Sequence, residues 1–447
     1  MTTAQIAGWV IGLLALGLVV AAPAQAQAPE GAEAYWHHWR GPNRNGVANT
    51  DGPTVFSATE HVKWKTAVPG RGFSSPVIWG HRIFLTTAII DEAAAAAAVG
   101  RRRGVSLAPT KFVVLCYDRG TGALLWERVA IETTPHEGYH RQLGSFANGS
   151  PITDGEQVYV SFGSYGLYAY DVDGTLRWSR DFGVKMEMFN GFGESSSPAL
   201  HENTLVLQFD HQGDDSFLVA VDTRTGETLW RQDRDEGTSW SSPYIAEHKG
   251  RVQVITSAGN YIRSNDLETG EEIWRSAGMT RHPIPMPVHG HGLVFTVSAV
   301  NERRIRAISL DALGDVTGTD AIVWQLDRAA PYNPSPLLWD NELYLVRDGG
   351  LSRATSRFSA FEATTGRPYY LQTRLPSSYT VKASPVGAGD KIYLLTEEGD
   401  VIVVKRGPRF EVLAVNSMDE MFLASPAVVD GELFLRGYEH LFCISDD

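Results

Sequence analysis

Positive charge is what this 447-residue chain has too little of: 39 Lys and Arg stand against 52 Asp and Glu, a formal net charge of −13. Neutralising phosphates needs a clustered basic surface, so the balance argues against a nucleic-acid partner. Catalytic signatures are missing too. There is no Gly-x-Ser-x-Gly elbow, no His-Glu-x-x-His helix and no phosphate loop, which leaves the common hydrolase and nucleotide-binding classes without support. Cysteine is limited to Cys116 and Cys443. Beyond the N-terminus no apolar run approaches the length of about 20 residues that spans a membrane.

What is abundant is glycine, at 44, and tryptophan, at 12, a combination that suits many short strands joined by tight turns. The first charged side chain is Glu30, preceded by an apolar run from Ile6 to Ala22 and by small residues at alternate positions through Ala28. That pattern reads as a secretory signal cleaved after Ala26 or Ala28, giving residues 1–28 as a leader and a periplasmic or extracellular location. No Lys or Arg precedes the apolar core, so an uncleaved N-terminal anchor with membrane association is the competing reading.

Self-similarity organises the rest. A Ser-Pro or equivalent pair opens each unit at Ser75-Pro76, Ser150-Pro151, Ser197-Pro198, Ser242-Pro243, Met286-Pro287, Ser335-Pro336, Ser384-Pro385 and Ser425-Pro426. From Pro151 the steps are 47, 45, 44, 49, 49 and 41 residues, and the first, from Pro76, is 75 because it carries an insertion. Such periods fit a four-stranded propeller blade of about 40–50 residues. In the third strand a small-residue column reads Cys116, Ala169, Ala220, Ser264, Ala307, Ala360, Val403 and Cys443. Turn glycines follow at Gly122, Gly174, Gly226, Gly270 and Gly366, and four residues after each stands Trp126, Trp178, Trp230, Trp274 or Tyr370; Trp324 follows a longer turn. One bulky aromatic ring per blade reads as a wedge docking neighbouring sheets.

The last unit stops at Asp447 without its outer strand, while a spare Trp64 lies before the first Ser-Pro pair. The expected fold is therefore all-β: an eight-bladed β-propeller of four-stranded antiparallel blades over residues 61–447, closed by the N-terminal strand. Residues 29–60, with Trp36-His-His-Trp-Arg-Gly-Pro42, are expected to pack on the rim, and residues 88–111 to form a loop insertion in the first blade. No Gly-His…Trp-Asp signature is present, which disfavours the WD40 type.

The unit Ser-Ser-Pro…Ala-x-Asp-x-x-Thr-Gly-x-x-x-Trp resembles the pyrroloquinoline-quinone-like (PQQ-like) propeller repeat across nearly all of residues 61–447. The resemblance implies one of two branches: quinoprotein dehydrogenases holding the quinone and calcium over the channel, or outer-membrane assembly scaffolds that bind protein segments without a cofactor. The dehydrogenase branch carries an adjacent Cys-Cys pair, whereas Cys116 and Cys443 stand apart in the small-residue column of the first and last blades. They are expected as two free buried thiols, since sheets about 10 Å apart hold their Cα atoms beyond disulfide reach.

Candidate sites compete with bland readings. Asp171-Val-Asp-Gly-Thr175 hints at calcium but occupies the repeat turn, and lacks the distal Glu of a 12-residue calcium loop. His289 and His291 fall at a blade turn with no third ligand in view. His136, Glu137 and His140 can converge on a metal or act as acid and base, against a solvated loop; Arg101–Arg103 is an anion site or a solvated loop, and Asp210–Asp215 an ion site or a hairpin tip. Topology offers more than motif. Segments before the Ser-Pro pairs ring one channel mouth and bring Arg71, Asn148, Glu194, Trp240, Asn333 and Lys382 together with Phe73, Phe192 and Phe422. That mixture suits a small molecule or a peptide, or a sealed structural funnel. The sequence thus predicts a non-catalytic, monomeric envelope scaffold with no cofactor or metal, and as alternative a PQQ- and calcium-dependent dehydrogenase with a degenerate site; paired carboxylates of a carbohydrate- or sulfate-acting enzyme form a third, weaker reading.

Overall fold

Period-2 patterning predicts strands, and strands are what form. The computed structural model describes residues 31–97, 101–102, 105–351 and 354–446, so the expected leader at 1–28 and the anchor alternative lie outside the described residues, as does Arg103. Eight antiparallel sheets of four strands form an eight-bladed β-propeller. The first strands of neighbouring blades touch, which puts the strand after each Ser-Pro pair at the axis. Val62–Ala67 completes the sheet of the last blade beside His440–Ile444, with Trp64 opposite Cys443. Among the described residues no helix is long and apolar enough to cross a membrane.

The register explains the sequence columns. Each small residue lies directly across from its wedge: Cys116 from Trp126, Ala169 from Trp178, Ala220 from Trp230, Ser264 from Trp274, Ala307 from Trp324, Ala360 from Tyr370 and Cys443 from Trp64. A β-bulge immediately precedes the wedge in five of these blades, at Leu125, Arg177, Leu229, Ile273 and Val323, and the ring beyond it reaches the next sheet. There the indole N–H of Trp64, Trp126, Trp178, Trp230 and Trp324 donates to a turn carbonyl of the next blade: Arg119, Val172, Thr223, Leu267 and Ala363, at 2.8–3.1 Å. The turn glycine of that next blade lies flat on the ring. A Cβ at Gly122, Gly174, Gly226, Gly270 or Gly366 would stand 2.5–2.8 Å from it, and each has a φ of +70 to +88°. Glycine is needed there twice over.

Three blades depart from the pattern, and in the sixth the wedge is Tyr370, whose ring lies 5.8 Å from that of Phe410 in the next blade. Trp274 is fully buried and donates to Gln253 Oε1 of its own blade (3.2 Å), and Gln253 Nε2 passes the link on to Leu310 O of the next (2.9 Å). A fifth strand, Gly314–Asp315, pairs parallel with that outer strand. In the seventh blade Ala414 stands where a wedge would be, opposite Val403, and Phe56 of the N-terminal segment packs in the same cluster.

A second ring forms at the axis. Each Ser-Pro hydroxyl accepts the backbone N–H of the equivalent residue one blade earlier: Ser75 N to Ser150, Ser150 to Ser197, Ser197 to Ser242, Met286 to Ser335, Ser335 to Ser384, Ser384 to Ser425, and Ser425 back to Ser75, at 2.9–3.0 Å. The belt breaks once, where Met286 replaces serine and offers no hydroxyl.

The rim segment expected at 29–60 takes a different course, because its backbone finds partners inside the ring. Trp36 O accepts from Ile78 N (2.8 Å), His37 O from Thr153 N (3.2 Å) and Gly46 O from Gly387 N (2.9 Å). Arg40, with no exposed surface, donates to Pro336 O and Pro385 O at 2.8 Å each, and Arg44 to Leu200 O (2.9 Å). Residues 36–47 therefore span the axial strands of the first, second, third, sixth and seventh blades. The insertion after Ile90 holds a short helix, Glu92–Ala97, and a two-residue hairpin, Arg101–Arg102 with Val105–Ser106.

Two outcomes follow from this packing. Ser75→Ala leaves the buried Ser425 amide without its acceptor, and lowers unfolding free energy by about 1–3 kcal/mol in a urea titration. Cys116 and Cys443 are free and buried, their thiols pushed up to about 12 chiefly by burial. A maleimide at pH 7 labels neither in the folded protein and both after non-reducing denaturation, read by intact mass.

Candidate functional site

The plug makes the channel blind. Trp39 forms the floor of an axial cavity of about 160 Å³ whose wall carries the belt serines Ser75, Ser150, Ser197, Ser242, Ser335, Ser384 and Ser425. Above it a funnel of about 150 Å³ opens between Phe73, His140, Leu143, Phe192, Trp240, Ile284, Tyr332, Asn333, Leu351, Lys382 and Leu423. Of the six residues expected at the mouth, Asn148, Trp240, Asn333 and Lys382 line this funnel, with Phe73 and Phe192.

Arg71 and Glu194 turn elsewhere. The Arg71 guanidinium lies 5.1–5.4 Å from the rings of Phe73, Tyr139 and Tyr438 and donates to Arg141 O (2.7 Å), so it braces a loop. Glu194 is partly exposed as a residue, but its carboxylate points inward, where Oε2 accepts from Ser164 N (2.7 Å). Phe422 is wholly buried against Phe442, and its neighbour Leu423 reaches the funnel instead.

Most polar groups on the funnel wall are already committed. Lys382 Nζ pairs with the buried Asp348 at 2.9 Å and donates to Gly350 O. Trp240 Nε1 donates to Gly193 O (2.6 Å), and Asn148 uses both amide ends on Ser145 and Glu194 O. Around the funnel and the cavity below it, His140, Trp39 and Asn333 keep polar atoms without a partner among the described residues. His140 Nδ1 accepts from Leu143 N (3.1 Å), which fixes the ring proton on Nε2. Its pKa is lowered by burial, with the Lys382 and Arg71 charges adding, so the ring is neutral and Nε2–H is a donor. Trp39 Nε1 and Asn333 Oδ1 are buried without a partner among the described residues.

The other sequence candidates do not assemble. His136 bonds Tyr165 OH (2.9 Å) and Met186 O (2.8 Å), and Glu137 is buried with Oε2 accepting from Met188 N (3.1 Å); the loop expected to be solvated is folded inward. His289 faces Tyr244 OH (2.8 Å) while His291 faces Asp340 O (2.9 Å), so the two diverge. Asp171 pairs with Arg177 in its turn, and Asp210 forms a buried pair with Arg234 at 2.7 Å. Among the described residues no three His, Cys, Asp or Glu side chains meet in a group able to hold a metal ion. His140 and Trp39 were missed as funnel residues: nothing local marks them, since each is placed by a segment outside the repeat.

Eight four-stranded blades around a blind axial funnel, most of them wedge-docked, define the class, a PQQ-like repeat propeller. The sequence pattern of the family described as outer membrane protein assembly factor BamB matches residues 110–308 and 258–445, and this chain belongs to that family. Among solved structures it is similar to the quinohemoprotein alcohol dehydrogenase of Comamonas testosteroni, at 12% identity over 94% of this chain and 81% of that one, TM-score 0.62. It is similar also to quinohemoprotein alcohol dehydrogenase ADHIIG of Pseudomonas putida HK5, at 11% identity over 92% and 80%, TM-score 0.60. BamB of Moraxella catarrhalis shares 12% identity over 74% and 88%, with a TM-score of 0.49. At such identities the likeness is of fold alone. No curated protein matches the sequence.

Burial pushes the Glu194 carboxyl up to about 8, with Glu137 adding to the rise against hydrogen bonds from Ser164. An unfolded glutamate ionises near 4.3, so between these values the native state keeps a proton that the unfolded state has lost. That contribution is fully present below about pH 4 and is lost as pH rises through about 8. In metal-free buffer the urea midpoint therefore falls between pH 5 and pH 8.5, and Glu194→Gln flattens the fall.

Proposed function

We infer that this protein is a non-catalytic scaffold of the cell envelope that receives a protein segment in its axial funnel. The observation that carries the reading is the blind end: residues 36–47 cross the channel, so whatever enters is held rather than passed. The wall offers apolar surface from Phe73, Leu143, Phe192, Ile284, Leu351 and Leu423. Against it stand two N–H donors, His140 and Trp39, and one acceptor, Asn333. A peptide brings both an acceptor and a donor with an apolar side chain, and needs no free charge opposite. A small ligand with the same pattern fits as well. Membership of the BamB family supports the scaffold role, and the signal-like N-terminus supports export to the periplasm or beyond.

The dehydrogenase alternative draws on the quinohemoprotein folds. It needs a free carboxylate and cation ligands over the funnel, whereas the carboxylate beside it, Asp348, is locked to Lys382. A photo-crosslinking residue placed at Leu351, which is 52% exposed at the mouth, tests the scaffold reading in growing cells. It gives adducts of discrete mass, the same residue at Val323 on an outer strand gives none, and His140→Ala weakens capture by about 2- to 10-fold, the worth of one hydrogen bond. Dye reduction by the purified protein loaded with quinone and calcium, or no adduct at Leu351, overturns it.

A further inference from the structure

Buried carboxylates in this molecule come with a resident cation. Asp210 has Arg234, Glu236 has Arg263, Asp348 has Lys382, and Glu432 has Lys63 and Arg119. Glu194 has no such cation: no ion pair is seen for it among the described residues, and the walls of the cavity it enters, which it shares with the buried Glu137, contain no Lys, Arg or His. That cavity lies between the second and third blades, and Asn148, Gly193 and Ser195 form the partition between it and the funnel. A carboxyl sealed away from water without a cation keeps its proton, and gives it up only when a cation enters to replace it.

Three oxygens on the residues that line the cavity have no partner. Glu194 Oε1, Ser196 Oγ and Gln208 Oε1 are each enclosed with no hydrogen bond among the described residues. The orientation of Gln208, 4% exposed, is not arbitrary. Its Nε2 donates to Asp210 Oδ2 at 2.6 Å, a carboxylate that can only accept, so Oε1 must face the other way, into the cavity. Glu194 is equally fixed: a Cβ on Gly163 would stand 1.7 Å from Oε2, so glycine at this position admits the carboxylate. Glu137 lines the same space.

We propose that this inter-blade cavity is a binding site for a hard divalent cation of the calcium type, held by Glu194, Gln208 and Ser196. Carboxylate, amide carbonyl and hydroxyl oxygens in an irregular arrangement match calcium, which accepts six to eight oxygens flexibly, better than magnesium, which demands an octahedron. No His or Cys lines the cavity, and its one sulfur is the weak thioether of Met186, which sets it against zinc. The site is separate from the funnel and independent of its occupant. Bound there, the ion ties the connection at Glu194–Ser196 to the second strand of the third blade through Gln208.

Full-length exported protein, stripped with EDTA and dialysed, is titrated with calcium chloride at pH 8 by calorimetry and thermal melting. One ion per chain binds and raises the melting temperature, and magnesium chloride does so more weakly. Glu194→Gln and Ser196→Ala each weaken calcium binding by about tenfold or more. Without calcium, Glu194→Gln melts at or above the wild-type temperature, because it no longer buries an ionisable acid. No heat and no melting shift up to millimolar calcium, or binding unchanged in both variants, overturns the site and leaves a protonated carboxyl among trapped waters. Should the Glu194→Gln chain fail to fold, the wild-type titration and Ser196→Ala decide alone.

Discussion

The constraint on which this structure rests is the docking of each blade on the next, in five of the eight by an indole ring seated on the turn glycine of its neighbour. A sheet of four strands buries little by itself; its apolar faces are covered only by its two neighbours. The indole fills the widening gap between sheets toward the perimeter, and the small residue opposite it keeps the same gap narrow within the blade. Its N–H, which burial would otherwise orphan, reaches a carbonyl on the neighbouring turn. The serine belt does the corresponding work at the axis. Sheets diverge outward, so the axis needs short polar links and the perimeter needs bulk.

The N-terminal segment carries three roles along thirty-odd residues. Val62–Ala67 supplies the missing outer strand of the last blade, Phe56 packs in the cluster that Ala414 borders, and residues 36–47 cross the channel. Two arginines make the last role possible, since a guanidinium can satisfy axial carbonyls on two different blades at once. Burial of Arg40 lowers its pKa to about 9, which keeps it charged at neutral pH. Ring closure and channel closure thus fall to one segment, which seals the ring with Val62–Ala67 and floors the funnel with residues 36–47.

Much of this was legible in sequence. The small column and the wedges repeat, and repetition turns weak local preferences into a register that can be checked blade by blade, from which the blade number and the closing strand follow. Departures from the repeat were not legible. Trp274 looked like its fellows, yet its neighbouring blade lacks the turn glycine, and Gln253 had to bridge the gap. Arg71, Glu194 and Phe422 occupied the right stretch of chain for the mouth. Whether a residue there faces the funnel, the next blade or the core depends on one backbone rotation, which spacing does not encode.

The chain's own order of residues determined the ring: serine, small residue, glycine and tryptophan recur at blade spacing, and each needs the others to bury its surface. Only the tertiary structure decided what the ring encloses. The blind floor depends on Arg40 finding carbonyls some 300 positions away, and the oxygen-lined cavity on Gln208 and Glu194 meeting from successive stretches of the chain. Such encounters occur once rather than eight times. A single encounter leaves no period to read, because it is fixed by how sheets pack and not by how one strand alternates.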